Sequence, residues 1–307
     1  MKRKIIKQAN QAYTITLPID WVRINNIHKK PEVDLAIEGK SLIINSDNST
    51  LGGKAKMDLN EIANKRIIWM YLNALYAKGI DEIEISCKSD ISNILSKETN
   101  NLLGYALVSK EKEVYIIKDI SGGNYKELDE IFKRVFQMIL VFYEDALKDI
   151  LGEEKQTKEE LTMRDLEVNK FCLFLQRAIN KLYYQDAVKG RILFTYSIAL
   201  EEIGDEIHRL WRTNILSKIN KTKQIQEMME LNKKLLEHAF DNYYMFNSKR
   251  IESMYELREK LKNLATRTKL NGEEIIFIKC LVKIAEELVD LGHLNLMINL
   301  KEEKEIC

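Results

Sequence analysis

The chain has 307 residues, of which 45% are hydrophobic and 31% charged, a balance typical of globular domains rather than of disordered chains. Its formal net charge is +1, so it is not a polycation, and no run of about 18 uninterrupted apolar residues predicts insertion into a membrane. Four scattered cysteines without metal-ligand spacing favour free thiols in a reducing, cytoplasmic compartment.

Residues 1–45 predict a small β module with a basic surface. The expected elements are two short strands, a short helix opened by Pro18 and a hairpin, at residues 3–8, 13–17, 18–24, 33–37 and 41–45. Residues 1–45 include eight Lys and Arg and four Asp and Glu, which gives them a formal net charge of +4. The rest of the chain therefore has a net charge of −3. Because about 45 residues bury too little surface to be stable alone, we expect the module to dock on the remainder or to interlock with a second copy.

Residues 46–53 are polar and contain glycine, which predicts a linker. A small α/β connecting domain is expected over residues 54–121. Its helices and strands are expected at residues 59–78 (helix), 82–86 (strand), 91–100 (helix), 103–108 (strand) and 113–120 (strand).

The segment from about 125 to 300 predicts helices alone, because apolar residues recur every three or four positions and both prolines of the chain lie before residue 32. Six helices are expected at about 125–150, 160–186, 189–216, 222–246, 248–268 and 273–299. Their lengths favour two stacked three-helix units, over about 125–217 and 222–300. The expected fold class is therefore a multidomain α+β protein with an all-α C-terminal part.

Short motifs occur in a fixed order along the chain. The segment RKIIKQANQAYTITLP covers residues 3–18 and is followed by IDWVRINNIHKKPEV. The helical region contains RDLEVNK at 164–170, ALEEIGD at 199–205 and KIAEELVD at 283–290. The first segment resembles the SpoVT/AbrB hairpin, and the others resemble the repeated acidic motifs, of archaeal-type PhoU-family proteins.

This resemblance implies a non-enzymatic regulator of phosphate uptake or of phosphate-responsive transcription. It implies an N-terminal hairpin swapped between two chains, which binds DNA, and a PhoU-like C-terminal pair of three-helix bundles. The DNA-binding side chains would be the basic ones of the module, namely Lys2, Arg3, Lys4, Lys7, Arg23, Lys29 and Lys30. The alternative is a solvated N-terminus that makes no DNA contact.

Two pairs of oxygen-bearing side chains have helical spacing. Asp165 and Asn169 are four residues apart, as are Glu201 and Asp205, so each pair shares one helix face, and His208 follows on the second of these faces. If the two helices pack side by side, the four oxygen-bearing side chains converge. Such ligands suit Fe, Mn or Mg, and PhoU-like domains hold metal clusters at pairs of this kind, so the resemblance implies a metal site here. The alternative is a solvated helix flank.

The second helical repeat departs from this pattern. Val282 stands where the first acid of the pair is expected, which leaves Glu259, Glu286 and Asp290. We therefore expect a weak metal site there, or none.

Three hypotheses of function remain open at this stage. The first is a dimeric DNA-binding regulator whose helices sense a metal, the phosphate status or a partner. The second is an adaptor that docks on a phosphate-transporter ATPase or a histidine kinase, with a hairpin used only for dimerisation. The third is a carboxylate-bridged metal enzyme.

Overall fold

The computed structural model confirms the mixed α+β class, with a C-terminal part built of helices. The chain forms two compact units, Met1–Gly52 and Gly53–Cys307. The structure describes residues 2–8, 12–29, 31–38, 41–45, 53–60, 64–121, 128–181, 187–217, 219–268 and 272–300.

The first unit consists of two antiparallel hairpins and one short helix. Its elements are strands β1 (Ile5–Gln8) and β2 (Ala12–Ile15), helix α1 (Ile19–Ile24), and strands β3 (Asp34–Glu38) and β4 (Ser41–Asn45). Strand β1 pairs with β2 and strand β3 pairs with β4, in two separate sheets. Among the side chains of this unit whose burial the structure describes, none is buried. One copy of the module therefore has no hydrophobic core of its own in the described part.

The second unit begins with a four-stranded mixed sheet. Its elements are β5 (Gly53–Asp58), α2 (Lys65–Ala77), β6 (Ile80–Ser86), α3 (Ser92–Asn100), β7 (Tyr105–Glu111) and β8 (Val114–Asp119). The strand order is β5-β6-β8-β7, with β5 parallel to β6 and the other pairs antiparallel. Fully buried Leu72, Ile83 and Ile117 belong to its hydrophobic cluster.

Strand β5 corrects the sequence analysis, which placed a linker up to residue 53 and a helix from residue 59. Only Met57 of this edge strand is buried, so the apolar alternation along residues 53–58 is too weak to predict a strand. Across the strand pair, Lys54 Nζ lies 3.0 Å from Glu82 Oε1. Helix α2 begins at Lys65 because the Asn64 side chain caps it by accepting the backbone N–H of Arg66.

In the described part of the chain, six long helices follow the sheet, close to where the hydrophobic periodicity predicts them. They are α4 (Leu128–Leu151), α5 (Lys158–Lys181), α6 (Ala187–Ser217), α7 (Lys223–Tyr244), α8 (Ser248–Arg267) and α9 (Gly272–Asn299). Helices α4, α5 and α6 all contact one another, as do α7, α8 and α9, while α6 packs on α9 and α4 on α7. Their buried side chains form one continuous cluster. None of the described helices combines the length and the apolar character needed to cross a bilayer.

A buried arginine on α5 joins the helices to the sheet. The side chain of Arg177 has no exposed surface. Its guanidinium donates to the carbonyl oxygens of Tyr76 at 3.0 Å and Ile80 at 2.7 Å, and to Asp119 Oδ2 at 2.6 Å. It also pairs with the carboxylate of Asp81. Sheet and helices therefore belong to one compact unit, although each keeps its own hydrophobic cluster.

Removing this guanidinium should destabilise the second unit strongly. We expect Arg177→Met to lower the free energy of unfolding by about 3–5 kcal/mol, because the carboxylate of Asp119 then stays buried without its cation. Urea denaturation followed by circular dichroism measures this change. The matched control is Arg191→Met at an exposed position of α6, which should change stability by less than about 0.5 kcal/mol. Equal effects of the two substitutions would contradict the role of Arg177.

Candidate functional site

A glycine lets helices α5 and α6 approach each other closely. Gly204 of α6 faces Val168 of α5, and a Cβ atom at position 204 would lie only 3.1 Å from Val168 Cγ1. A larger residue at position 204 would require the Val168 side chain to move by a few tenths of an ångström. Asp165 precedes Val168 by three residues on α5, and Asp205 directly follows Gly204 on α6. Both acidic side chains therefore lie near the point where the two helices approach closely.

The close approach brings together most of the side chains that the sequence singles out. Asp165 is buried, Asn169 and Glu201 are partly buried, and Asp205 is exposed. The negative charges of Asp205 and Glu201 both act on the carboxyl group of Asp165. His208 joins them, with its Nδ1 atom 3.6 Å from Asp165 Oδ2. Asp165, Glu201, Asp205 and His208 therefore lie near one another between α5 and α6.

The environment of this cluster opposes negative charge. Burial, together with the charges of Asp205 and Glu201, raises the pKa of Asp165 to about 7. Burial and the neighbouring charges of Asp205 and Glu202 likewise raise the pKa of Glu201 to about 7. Near neutral pH the two carboxyl groups are therefore partly protonated, and a bound cation would compete with these protons.

Burial also shapes the histidine of the cluster. It lowers the pKa of His208, and the positive charge of Arg212 lowers it further, although Asp205 opposes this shift. A histidine with a lowered pKa keeps its neutral imidazole at neutral pH, which is the form that binds metals. His208 is therefore available as a nitrogen ligand beside the carboxylates.

Two buried oxygens of the cluster have no hydrogen-bond donor. Oδ1 of Asp165 and Oδ1 of Asn169 are both buried, and neither has a hydrogen-bond partner in the described part of the chain. Oxygens that lack donors suit a hard cation such as Mg²⁺ or Mn²⁺, or iron, so the donor set fits a metal. However, no three His, Cys, Asp or Glu side chains among the described residues stand in a geometry that could hold an ion. The donor types fit, whereas the coordination distances are not preformed.

Cations of the chain itself neutralise acids in the second repeat. Lys262 Nζ lies 3.0 Å from Glu286 Oε1, and Arg258 pairs with Glu259 at 2.8 Å. Two of the three acids that remain at the expected second site are therefore already paired. These contacts give a physical reason for expecting little metal affinity there.

The basic side chains of the first unit are exposed. Lys2, Arg3, Lys4 and Lys7 lie on or just before β1, and Arg23 belongs to α1. Lys29 is exposed too, and Lys30 lies outside the described residues. None of the six basic residues just named that the structure describes forms an ion pair with another described residue. Their positive charge remains available to an anionic partner.

The raised carboxyl pKa values predict an unusual dependence of stability on pH. Because the folded pKa of Asp165 is about 7, whereas a free Asp titrates near about 4, the folded metal-free chain binds the extra proton between these values. Stability contributed by this group therefore falls as the pH rises from about 4 to about 7. We expect Asp165→Asn to flatten this fall and to be more stable than the unsubstituted chain at pH 8. Urea unfolding of both proteins at pH 5 and pH 8 measures the change in the free energy of unfolding with pH.

The matched control for this pH prediction is Glu256→Gln, at an exposed position of α8. It should leave the pH profile parallel to that of the unsubstituted chain. If Asp165→Asn also gives a parallel profile, the carboxyl group of Asp165 does not titrate as its burial requires.

Comparison with known proteins gives no assignment for this site. No protein-family model matches the chain, and no curated protein or solved structure is significantly similar to it. The resemblance to PhoU-family proteins therefore stays a prediction that rests on the sequence motifs alone.

Proposed function

We propose that the chain is a DNA-binding regulator that acts as a dimer through its first unit, and that its helices sense a divalent metal ion in control of phosphate uptake. One observation carries this proposal, namely that the first unit is basic and has no buried side chain among those whose burial the structure describes. A globular module of this size must cover its apolar side chains to be stable, and its charge favours a polyanionic partner.

The exposed apolar side chains of the first unit support the dimer. Ile37 is 82% exposed, Ile24 is 74% exposed, and Ile5 and Tyr13 are each 67% exposed. Burying such side chains stabilises by about 25 cal/mol per Å² of apolar surface. A second copy of the same strands offers the same unburied faces, so pairing two copies builds a shared core. The strands are also too short and too few to be stable as isolated hairpins.

The charge of the module supports DNA as the partner. Residues 1–45 carry a net +4 on a chain whose total is +1, and a dimer doubles this local charge. Lysine and arginine side chains bind phosphate groups by releasing counterions from DNA, which gives affinity without sequence reading. The exposed residues around Arg3 and Lys4 would contact the backbone of the duplex.

The cluster between α5 and α6 supports a metal-sensing role for the helices. Asp165, Asn169, Glu201, Asp205 and His208 supply oxygen and nitrogen donors of the types that bind Mn, Fe or Mg. A divalent ion would satisfy the buried oxygens of Asp165 and Asn169 and would remove the repulsion among the carboxylates. Both effects favour the metal-bound state over the metal-free one.

Charge reversal in the first unit tests the DNA-binding part. We expect Arg3→Glu with Lys4→Glu to weaken binding to duplex DNA at least tenfold. Because each phosphate contact contributes about 0.9 to the slope of log affinity against log salt, the slope should fall by about 2. Fluorescence anisotropy at several salt concentrations measures both quantities, and light scattering checks that the dimer persists.

A matched double reversal controls for total charge. Lys155 and Lys158 are exposed in the second unit, and Lys155→Glu with Lys158→Glu changes the net charge by the same amount. It should leave the salt slope unchanged. An intact dimer whose DNA binding is equally affected by both double variants, or by neither, would favour the adaptor hypothesis instead.

Removal of two carboxylates tests the metal part. Metal-free protein incubated with Mn²⁺ and then freed of excess ion should retain manganese, and Glu201→Ala with Asp205→Ala should abolish the retained metal. Elemental analysis of the protein measures the occupancy. Glu252→Ala with Glu256→Ala is the control, because these two acids have the same four-residue spacing on the exposed face of α8. Unchanged occupancy in the first double variant would eliminate the site.

A further inference from the structure

A cavity of about 210 Å³ opens between helices α4 and α5, apart from the carboxylate cluster. At about 30 Å³ of liquid volume per water molecule, it has room for roughly seven waters or for a small organic molecule. Its lining combines positive, apolar and polar side chains, namely Arg134, Gln137, Met138, Val141, Arg164 and Glu167. Such a lining offers polar groups that could orient a ligand beside an apolar wall.

The first arginine of the cavity is held in place without a counter-charge. The guanidinium carbon of Arg134 lies 4.5 Å from the centroid of the Phe171 ring. This cation–π contact favours one position of an otherwise exposed guanidinium. Among the described residues, no carboxylate lies within ion-pair distance of it. An oriented guanidinium without an ion pair is suited to a carboxylate brought by a ligand.

The second arginine of the cavity, Arg164, has one N–H group without an acceptor in the described part of the chain. Arg164 pairs with the carboxylate of Asp145 through its Nη2 atom. Its Nε atom, in contrast, is buried and has no acceptor in the part of the chain that the structure describes. A buried N–H group without an acceptor is costly, and a ligand oxygen that reaches it would remove this cost.

The remaining lining residues restrict which anion fits. Met138 and Val141 offer an apolar wall, which favours a ligand with a hydrocarbon body over an inorganic ion. Glu167 adds a negative charge to the lining, and it repels any ligand that carries a second negative charge. Asp145 pairs with Arg164, and the charges of Arg134 and Glu167 cancel in sum, so the cavity carries no net charge. Arg134 nevertheless forms no ion pair with a described carboxylate, and its guanidinium can pair with one negative charge brought by a ligand.

We propose that this cavity binds a small organic monocarboxylate. The carboxylate accepts hydrogen bonds from the guanidinium groups of Arg134 and Arg164, and the hydrocarbon body contacts Met138 and Val141. This site is separate from the metal cluster, because Asp165 is buried on another side of α5 and does not line the cavity. The inference does not depend on DNA or metal binding.

Methyl NMR of the full chain tests this site, with benzoate as the probe. In protein labelled at the methionine methyl groups, benzoate should shift the Met138 signal in a saturable way and leave that of Met254, a fully buried residue of α8, unmoved. Benzyl alcohol, which lacks the charge, and inorganic phosphate, which lacks the hydrocarbon body, should each bind at least tenfold more weakly. The Met138→Leu variant identifies the signal.

A matched pair of charge removals completes the test. Arg134→Gln should raise the dissociation constant of benzoate about tenfold or more, as expected for the loss of a charge-assisted hydrogen bond. Lys133→Gln removes the same charge from the neighbouring exposed position, which does not line the cavity, and should change it less than twofold. A Met138 signal that benzoate does not move would overturn the proposal. So would equal effects of the two variants, or phosphate binding as tightly as benzoate.

Discussion

The buried guanidinium of Arg177 makes more hydrogen bonds to the sheet region than any other described side chain of helix α5, and it is fully buried. A charge taken out of water is strongly unfavourable unless acceptors surround it. The sheet supplies carbonyl oxygens at Tyr76 and Ile80 and carboxylates at Asp81 and Asp119, and the rings of Tyr76 and Tyr105 flank the guanidinium at 4.9 and 5.0 Å. Although burial opposes it, hydrogen bonds from Ser121 and Arg177 keep the pKa of Asp119 below its usual value. Neither partner is stable in this setting without the other.

Helix α5 therefore links three features that the sequence keeps apart. Arg164 lines the cavity on α4, Asp165 belongs to the carboxylate cluster with α6, and Arg177 anchors the sheet. Asp165 and Arg177 are twelve positions apart, and at about 1.5 Å per residue this separation spans about 18 Å of continuous helix. A ligand bound at either proposed site would contact a helix whose other end is held by the buried hydrogen bonds of Arg177. The sheet is thus mechanically connected to both sites through one element.

The sequence predicts the parts of this structure that depend on local spacing. Three- and four-residue periodicity gives the six long helices, and the four-residue spacing of Glu201 and Asp205 places both on one face. Strand β5 was missed because an edge strand with a single buried side chain, Met57, leaves no clear alternation. Arg177 was missed for a different reason. Its burial depends on how α5 meets the sheet, and a charged residue in a helical pattern indicates a solvated face until that packing is known. The cavity between α4 and α5 shows the same limit, since its two arginines come from different helices and only the packing of those helices brings them together.

The two acidic regions of the helices differ in a way that the sequence predicts. In the second repeat, Lys262 already compensates Glu286 at 3.0 Å. In the first, burial and mutual repulsion raise the pKa values of Asp165 and Glu201 to about 7, and no lysine or arginine of the described chain pairs with either. An external cation therefore relieves repulsion at the first cluster, whereas at the second it must displace an ion pair that already exists. This difference in electrostatic compensation places any metal response of the helices between α5 and α6.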